Sequence, residues 1–301
     1  MKIVQSFWSK PQADSFTEVW ESRSHGGWLS DRYHQMSWAM SCLQLCKYYD
    51  EVELVTDLAG KELLIDTLGL PYTNVEIKLD AINDYDRDLW ALGKVYTYSL
   101  QDKPFLHVDG DIYIWKAFDK KLLESPIIAQ HLEVGYYYYN KVMKMVDANL
   151  PYVPQAIKDF RESSSRINAF NMGLAGGNDI EFFQHYAQES LNFVDYNLES
   201  LANISTGPFN TVYEQVLFYC LLQQRGNDVG LFTNTTGEKL VNKELNSLSN
   251  FRKAPNGVNL VHLYGSNKRR KFYCRELASK LKQAHPKYYD RIMDLTSVEA
   301  W

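Results

Sequence analysis

The stretch PFLHVDGDIYIW, Pro104–Trp115, decides how this chain is read. It is apolar and aromatic at both ends and predicts a buried strand, yet Asp109 and Asp111 stand within it, separated only by Gly110. A buried carboxylate gives up its hydration, and only a paired charge or a metal offsets that loss. On a strand rising ~3.3 Å per residue, alternate side chains share a face, which predicts two carboxylates about 6–7 Å apart on one side. Such a pair repels itself and calls for a cation. Oxygen ligands suit Mg²⁺ or Mn²⁺, ions that keep positions open for phosphate oxygens. Asp-Gly-Asp is also a common turn string, so a solvated turn stands beside the metal reading. The apolar runs FLHV and IYIW weigh against it, because turns seldom lie inside such runs.

Upstream, KIVQSFW (Lys2–Trp8) predicts a first strand, followed by a loop that includes SHGGWLS (Ser24–Ser30). DRYHQMSWAMSCLQLCKYY has helical spacing, with Met36, Met40, Leu43 and Cys46/Lys47 near one face. EVELVTD and NVEIKL read as strands, with the short helix GKELLIDTLGL between them. DLWALGKVYTYSLQ, Asp88–Gln101, predicts a long helix immediately before the acid-bearing stretch. This strand–helix alternation is the pattern of a parallel sheet with crossover helices, whose ligands gather at the carboxyl ends of the strands. Downstream, SPIIAQHLE, INAFNMGLAGGND, VGLFTN and NLVHLYG read as strands, and helical patterns interrupted at Pro151 and Pro154 lie between them. The expected fold is an α/β/α three-layer sandwich with a mostly parallel central sheet and a decorated C-terminal half.

Composition narrows the function classes. A formal net charge of −5 argues against a nucleic-acid footprint. The 21 tyrosines suit a carbohydrate or nucleotide cleft, and equally a core. Cys42, Cys46, Cys220 and Cys274 form no CxxC pair or Cys/His cluster, which argues against structural zinc and for reduced thiols. MKIVQSFWSK has no apolar signal core, and no run approaches the ~20 apolar residues of a membrane span. A cytoplasmic protein is expected, with at most peripheral membrane contact through SNKRRKFYCRELASKLKQ.

Three further constellations carry chemistry. In NLVHLYGSNKRRK, His262 ends an apolar strand, with Gly265 and Lys268 following at three and six residues. The histidine can be a third metal ligand, and a lysine after a glycine turn can reach a diphosphate; a core histidine and a solvated lysine are the plainer alternative. FNMGLAGGND offers Asn171 and Gly173, and its glycines leave room for a ring or sugar against the backbone. The same stretch also suits an ordinary strand-to-helix turn with Asn178 or Asp179 as cap. Glu214 and Gln215 open a helix, where an acid could activate a hydroxyl or simply suit the helix dipole.

In their order along the chain, these motifs resemble the GT-A nucleotide-sugar glycosyltransferases. FLHVDGDIYIW is similar to that family's DxD strand, FNMGLAGG to its Asn-x-Gly strand, and LVHLYGSNKRRK to the His-x-x-Gly-x-x-Lys segment of glycogenin-like and bacterial lipopolysaccharide galactosyltransferases. The chain also resembles a bacterial family related to these enzymes. The resemblance implies one glycosyltransferase-like domain over 1–301: a nucleotide-binding half (1–118), an acceptor-side half (119–275) and a C-terminal helical tail (276–301). It implies a hexosyl transfer (EC 2.4) from a nucleotide-diphosphate sugar, expected to be a UDP-sugar, to a glycan or lipid-linked hydroxyl. Asp109, Asp111 and His262 then hold Mn²⁺ or Mg²⁺, Lys268 meets the diphosphate with Gly265 shaping its loop, and Ser6, Phe7 and Trp8 cradle the base. Lys94, His107, Asn171 and Gly173 complete the donor-binding set, and Glu214 and Gln215 are the catalytic pair. Glu214 stands where the family usually has Asp, and RRK follows Lys268 where the glycogenin-like enzymes have Pro-Trp. Two rival readings are a nucleotidyltransferase or phosphohydrolase, and a non-catalytic carbohydrate- or protein-binding module on the same fold. A nucleotidyltransferase would carry a glycine-rich basic loop after the first strand; SFWSKPQADSF has no glycine.

Overall fold

Runs of β-branched and aromatic residues form nine strands in the computed structural model, which describes residues 1–12, 24–226, 228–234 and 248–297. They are β1 (Lys2–Phe7), β2 (Val52–Thr56), β3 (Asn74–Ile77), β4 (Phe105–Val108), β5 (Ile112–Ile114), β6 (Ile127–Val134), β7 (Asn168–Gly177), β8 (Val229–Leu231) and β9 (Leu260–His262). Seven make a mostly parallel sheet in the order β3-β2-β1-β4-β7-β6-β8, flanked by helices, as the strand–helix alternation predicts. Pairing is parallel at β1–β2, β2–β3 and β6–β8, and antiparallel at β6–β7. The remaining two, β5 and β9, form a separate antiparallel ladder.

Two sequence expectations are corrected. Pro104–Trp115 is not one strand. It divides into β4 and β5, and the Ile112 amide donates to the Asp109 carbonyl at 3.0 Å to close a turn over Asp-Gly-Asp. The break lets β5 leave the large sheet and pair with β9. Gly110 permits it, because a Cβ there would overlap the Trp38 indole. The helix expected over Asp88–Gln101 spans only Leu92–Ser99. The Asn210 side chain explains the late start: it accepts from the Ala91 amide at 2.8 Å and donates to the Asp88 carbonyl at 2.7 Å, groups that a longer helix would use itself.

Contacts group the chain into two compact units whose segments alternate along the sequence. One comprises Met1–Lys2, Asp84–His107 and Phe118–Lys243; the other comprises Ile3–Asn83, Val108–Ala117 and Glu244–Trp301. In the first, Tyr98, Phe105, Phe183, Tyr186 and Phe218 interlock with ring centroids 5.0–6.0 Å apart. Gly176 and Gly177 serve this packing. A Cβ at either would strike the backbone of Phe105 or of Pro126, so the room they make is filled by the chain itself. In the second, the helix Asp31–Tyr48 packs with Lys271–Ala284 and Pro286–Ser297 around Met36, Met40, Leu277, Leu281 and Ile292. Among the described residues no helix is long and apolar enough to cross a membrane.

Candidate metal centre

The Asp-Gly-Asp turn is where the second unit concentrates charge. The β5–β9 ladder sets Ile112 opposite His262, and the Leu263 amide donates to the Asp111 carbonyl at 3.0 Å. A segment 150 residues downstream is thereby fixed beside the turn. Asp109, Asp111 and His262 each offer one ligand atom, and these atoms lie within 4.8 Å of one another. The turn reading and the metal reading thus hold together: the turn draws the two carboxylates closer than a strand would.

Asp111 is buried, and its Oδ1 accepts no hydrogen bond among the described residues, with His262 Nε2 at 3.4 Å. Lys268 Nζ lies 2.5 Å from Oδ2. Burial pushes the Asp111 carboxyl up, but the Lys268 ammonium and His262 outweigh it and hold the acid well below its usual range. Two carboxylates and an imidazole, with one buried oxygen open, fit a small divalent cation.

The neighbouring loops complete this side. Gly265 takes φ +55, which turns the chain so that Lys268 comes back over Asp111. Gly27, at φ +79 in the SHGG turn, packs so that a Cβ would touch the Lys268 side chain. His34 is buried close by and accepts from Trp38 Nε1 at 3.0 Å. Burial, and then Lys268, lower its pKa to about 3. Of the residues expected on the base, Ser6 is half-buried and Phe7 sits in the core edge-on to Trp38. Trp8 is buried and donates to Asn83 Oδ1 at 2.7 Å.

The sequence reading missed a polar stripe that holds the turn. On the helix Asp31–Tyr48, Ser37, Ser41, Gln44 and Tyr48 follow one another at helical spacing. They donate to the carbonyls of Gly110, Ile112, Ile114 and Trp115 at 2.7–2.8 Å. These side chains serve β5 where a neighbouring strand would otherwise stand. Gln5 adds to them, donating to Ser41 Oγ at 3.0 Å and to the Val108 carbonyl at 3.1 Å. The signal was the polar period inside an otherwise apolar helix.

The other expected residues belong to the first unit. Lys94 Nζ lies 2.6 Å from Glu214 Oε1 and donates to the Met172 carbonyl at 3.1 Å. Glu214 and Gln215 occupy a π-helical turn, Val212–Val216, whose Tyr213 and Glu214 carbonyls accept from Ser190 and Tyr186. Tyr139 donates to Gln215 Oε1 at 2.8 Å and also bonds Glu133, which meets His131 at 3.1 Å. His107 is buried edge-on to Tyr98, its pKa lowered by burial and then by Lys94. Asn171 stands opposite His131 across β6–β7, and its Oδ1 accepts from the Gly173 amide at 3.1 Å.

Over residues 1–295 the chain matches DUF6734, described as a family of unknown function, and it belongs to that family. No curated protein matches its sequence. Among solved structures it is similar to mouse xyloside xylosyltransferase 1 in its apo form, at 11% identity and a TM-score of 0.38, over 87% of this chain and 96% of that one. It is similar as well to the glycosyltransferase GlyE of Streptococcus pneumoniae TIGR4, at 9% identity and a TM-score of 0.39, over 96% of this chain and 64% of that one. The chain therefore spans just under two thirds of GlyE.

Proposed function

We propose that the protein is a metal-dependent glycosyltransferase that takes a sugar from a nucleoside-diphosphate donor, a UDP-sugar, to a hydroxyl of a glycan or lipid-linked acceptor. The supporting observation is the convergence of Asp109, Asp111 and His262, drawn from a turn and a distant strand to within 4.8 Å. These three would hold Mn²⁺ or Mg²⁺, which when bound supplies positive charge against the diphosphate leaving group. Lys268 brings a second positive charge on a short loop and is the residue proposed for the diphosphate. Ser6, Phe7 and Trp8 are proposed at the base. In the first unit, Glu214 and Gln215 are proposed as the catalytic pair, and Lys94, His107, Asn171 and Gly173 as donor-side residues.

Calorimetric titration of UDP with and without Mn²⁺ tests this reading. Wild-type protein is expected to bind UDP only with the metal, and Asp111→Asn to lose that binding while remaining folded. A variant that binds UDP and Mn²⁺ as tightly as wild type would sink the metal reading. With binding established, a panel of nucleotide sugars names the donor through slow hydrolysis in the absence of acceptor.

A further inference from the structure

The segment from Lys268 to Lys287 carries eight Lys or Arg and a single acid, Glu276, in a chain whose net charge is −5. Most of it is the helix Lys271–Ala284. The buried face of that helix, Cys274, Leu277 and Leu281, is used by the core of the second unit. The opposite face is exposed, with Lys271, Arg275 and Lys282 along it and Arg270 at its start. At 1.5 Å per residue these cations line a strip about 16 Å long. Lys280 is not among them, because its ammonium turns inward to the Ala254 carbonyl at 3.0 Å.

Local helix energetics do not account for this arrangement. The positive end of a helix dipole disfavours cations, yet the first turn has no acid and is preceded by Arg269 and Arg270. The lone acid is not spread among the cations: Glu276 bonds Arg252 at 3.1 Å. Beside Lys271 stands Phe272, 48% exposed, with the Arg252 guanidinium 5.0 Å from its ring centre. An exposed ring ringed by cations on a convex face matches a plane of negative charge with an apolar layer beneath it. Single-stranded nucleic acid is instead held in a groove, with successive bases on successive rings.

We propose that this face, Arg270, Lys271, Phe272, Arg275 and Lys282 with Arg252 beside them, docks the protein on a lipid bilayer rich in anionic headgroups. The helix does not insert, since its apolar side is committed to the core. Attachment is electrostatic, with the Phe272 ring entering the headgroup layer. The surface is independent of the metal reading, and its test is run in EDTA so that the two fail separately.

Full-length protein is sedimented with vesicles of phosphatidylcholine alone or mixed with phosphatidylglycerol. Binding is expected only to the mixed vesicles and is expected to fall away at high salt. Each cation at the surface contributes roughly fivefold in affinity, so the triple variant Lys271→Gln/Arg275→Gln/Lys282→Gln should bind about a hundredfold more weakly. Its melting curve should match wild type, because the three side chains are exposed. Phe272→Ser should weaken binding by a factor that persists as salt rises. The proposal is overturned if neutral vesicles bind equally, if neither kind binds, or if the triple variant binds like wild type. It is overturned too if soluble glycerol phosphate at matched concentration strips the protein from vesicles, which marks a single-phosphate site, or if an oligonucleotide binds while the vesicles do not.

Discussion

Asp111 and Glu214 are both buried carboxylates met by a lysine, at 2.5 Å and 2.6 Å, yet the two pairs are built for different ends. Lys94 lies within the helix Leu92–Ser99, its ammonium shared between Glu214 and the Met172 carbonyl. Lys268 comes from a short loop behind a left-handed glycine, and its partner has a second acid and an imidazole beside it. Charges balance around Glu214, whereas donors outnumber the lysine around Asp111. A fixed counter-ion makes a structural pair. A counter-ion on a mobile arm, facing surplus ligands, makes a site where one cation can replace another.

The largest effect is expected at the fixed pair. Glu214→Gln leaves the Lys94 ammonium buried without its carboxylate, and breaking one side of a buried pair costs about 3–5 kcal/mol. Urea unfolding measures this directly. A loss under about 1 kcal/mol would show that Lys94 finds water when released, and the contrast with Lys268 would collapse.

Next is acid sensitivity, for which each unit supplies one histidine. His34 is lowered to about 3 by burial and then Lys268, and His107 is lowered by burial and then Lys94. In the unfolded chain both titrate near 6.5, so below that pH the unfolded state takes up protons that the folded state refuses. Stability is therefore complete above about pH 6.5 and declines as pH falls toward the folded values. For His34 alone the loss between pH 7 and pH 5 is about 2 kcal/mol. His34→Gln, which keeps an acceptor for Trp38, should flatten the slope of stability against pH and leave the His107 share. An unchanged slope would mean that His34 stays neutral in both states.

How much of this was legible before the coordinates depends on the range of the interaction. Strands such as Val52–Thr56 and the helix starting at Asp31 were legible because propensity and periodicity are local. The broken strand at Asp109 was not, because its cause is the pairing of β5 with a segment 150 residues away. His262 and Lys268 were placed beside the acids only through their motif. The Lys94–Glu214 pair was missed because nothing local announces a contact across 120 residues. The polar stripe of Ser37, Ser41, Gln44 and Tyr48 was visible but unread: its period is helical, and only the position of β5 gives it a purpose. Ser41→Ala tests that purpose. It strands the buried Ile112 carbonyl and the Gln5 amide, costs about 1–2 kcal/mol, and should weaken Mn²⁺ binding at the turn that the stripe supports. Lost stability with unchanged metal affinity would confine the stripe to packing.

The smallest effect on stability is expected at Asp111 itself. Its carboxylate is buried beside Asp109, and Asn in its place removes a like-charge repulsion as well as the ion pair with Lys268. The stranded ammonium is 12% exposed and sits on a short loop behind Gly265, so it can swing to solvent instead of staying unpaired. The two consequences oppose each other, and the net change without metal is expected to stay within about 1 kcal/mol of wild type in either direction. Saturating Mn²⁺ should then separate the proteins. Wild type gains stability as RT ln(1 + [L]/Kd) and Asp111→Asn gains none. Parallel melts of Asp111→Asn and Glu214→Gln in EDTA and in Mn²⁺ put the comparison in one experiment. Equal losses in EDTA would make the Asp111 pair as structural as that of Glu214, and an Mn²⁺ gain surviving in Asp111→Asn would place the cation elsewhere.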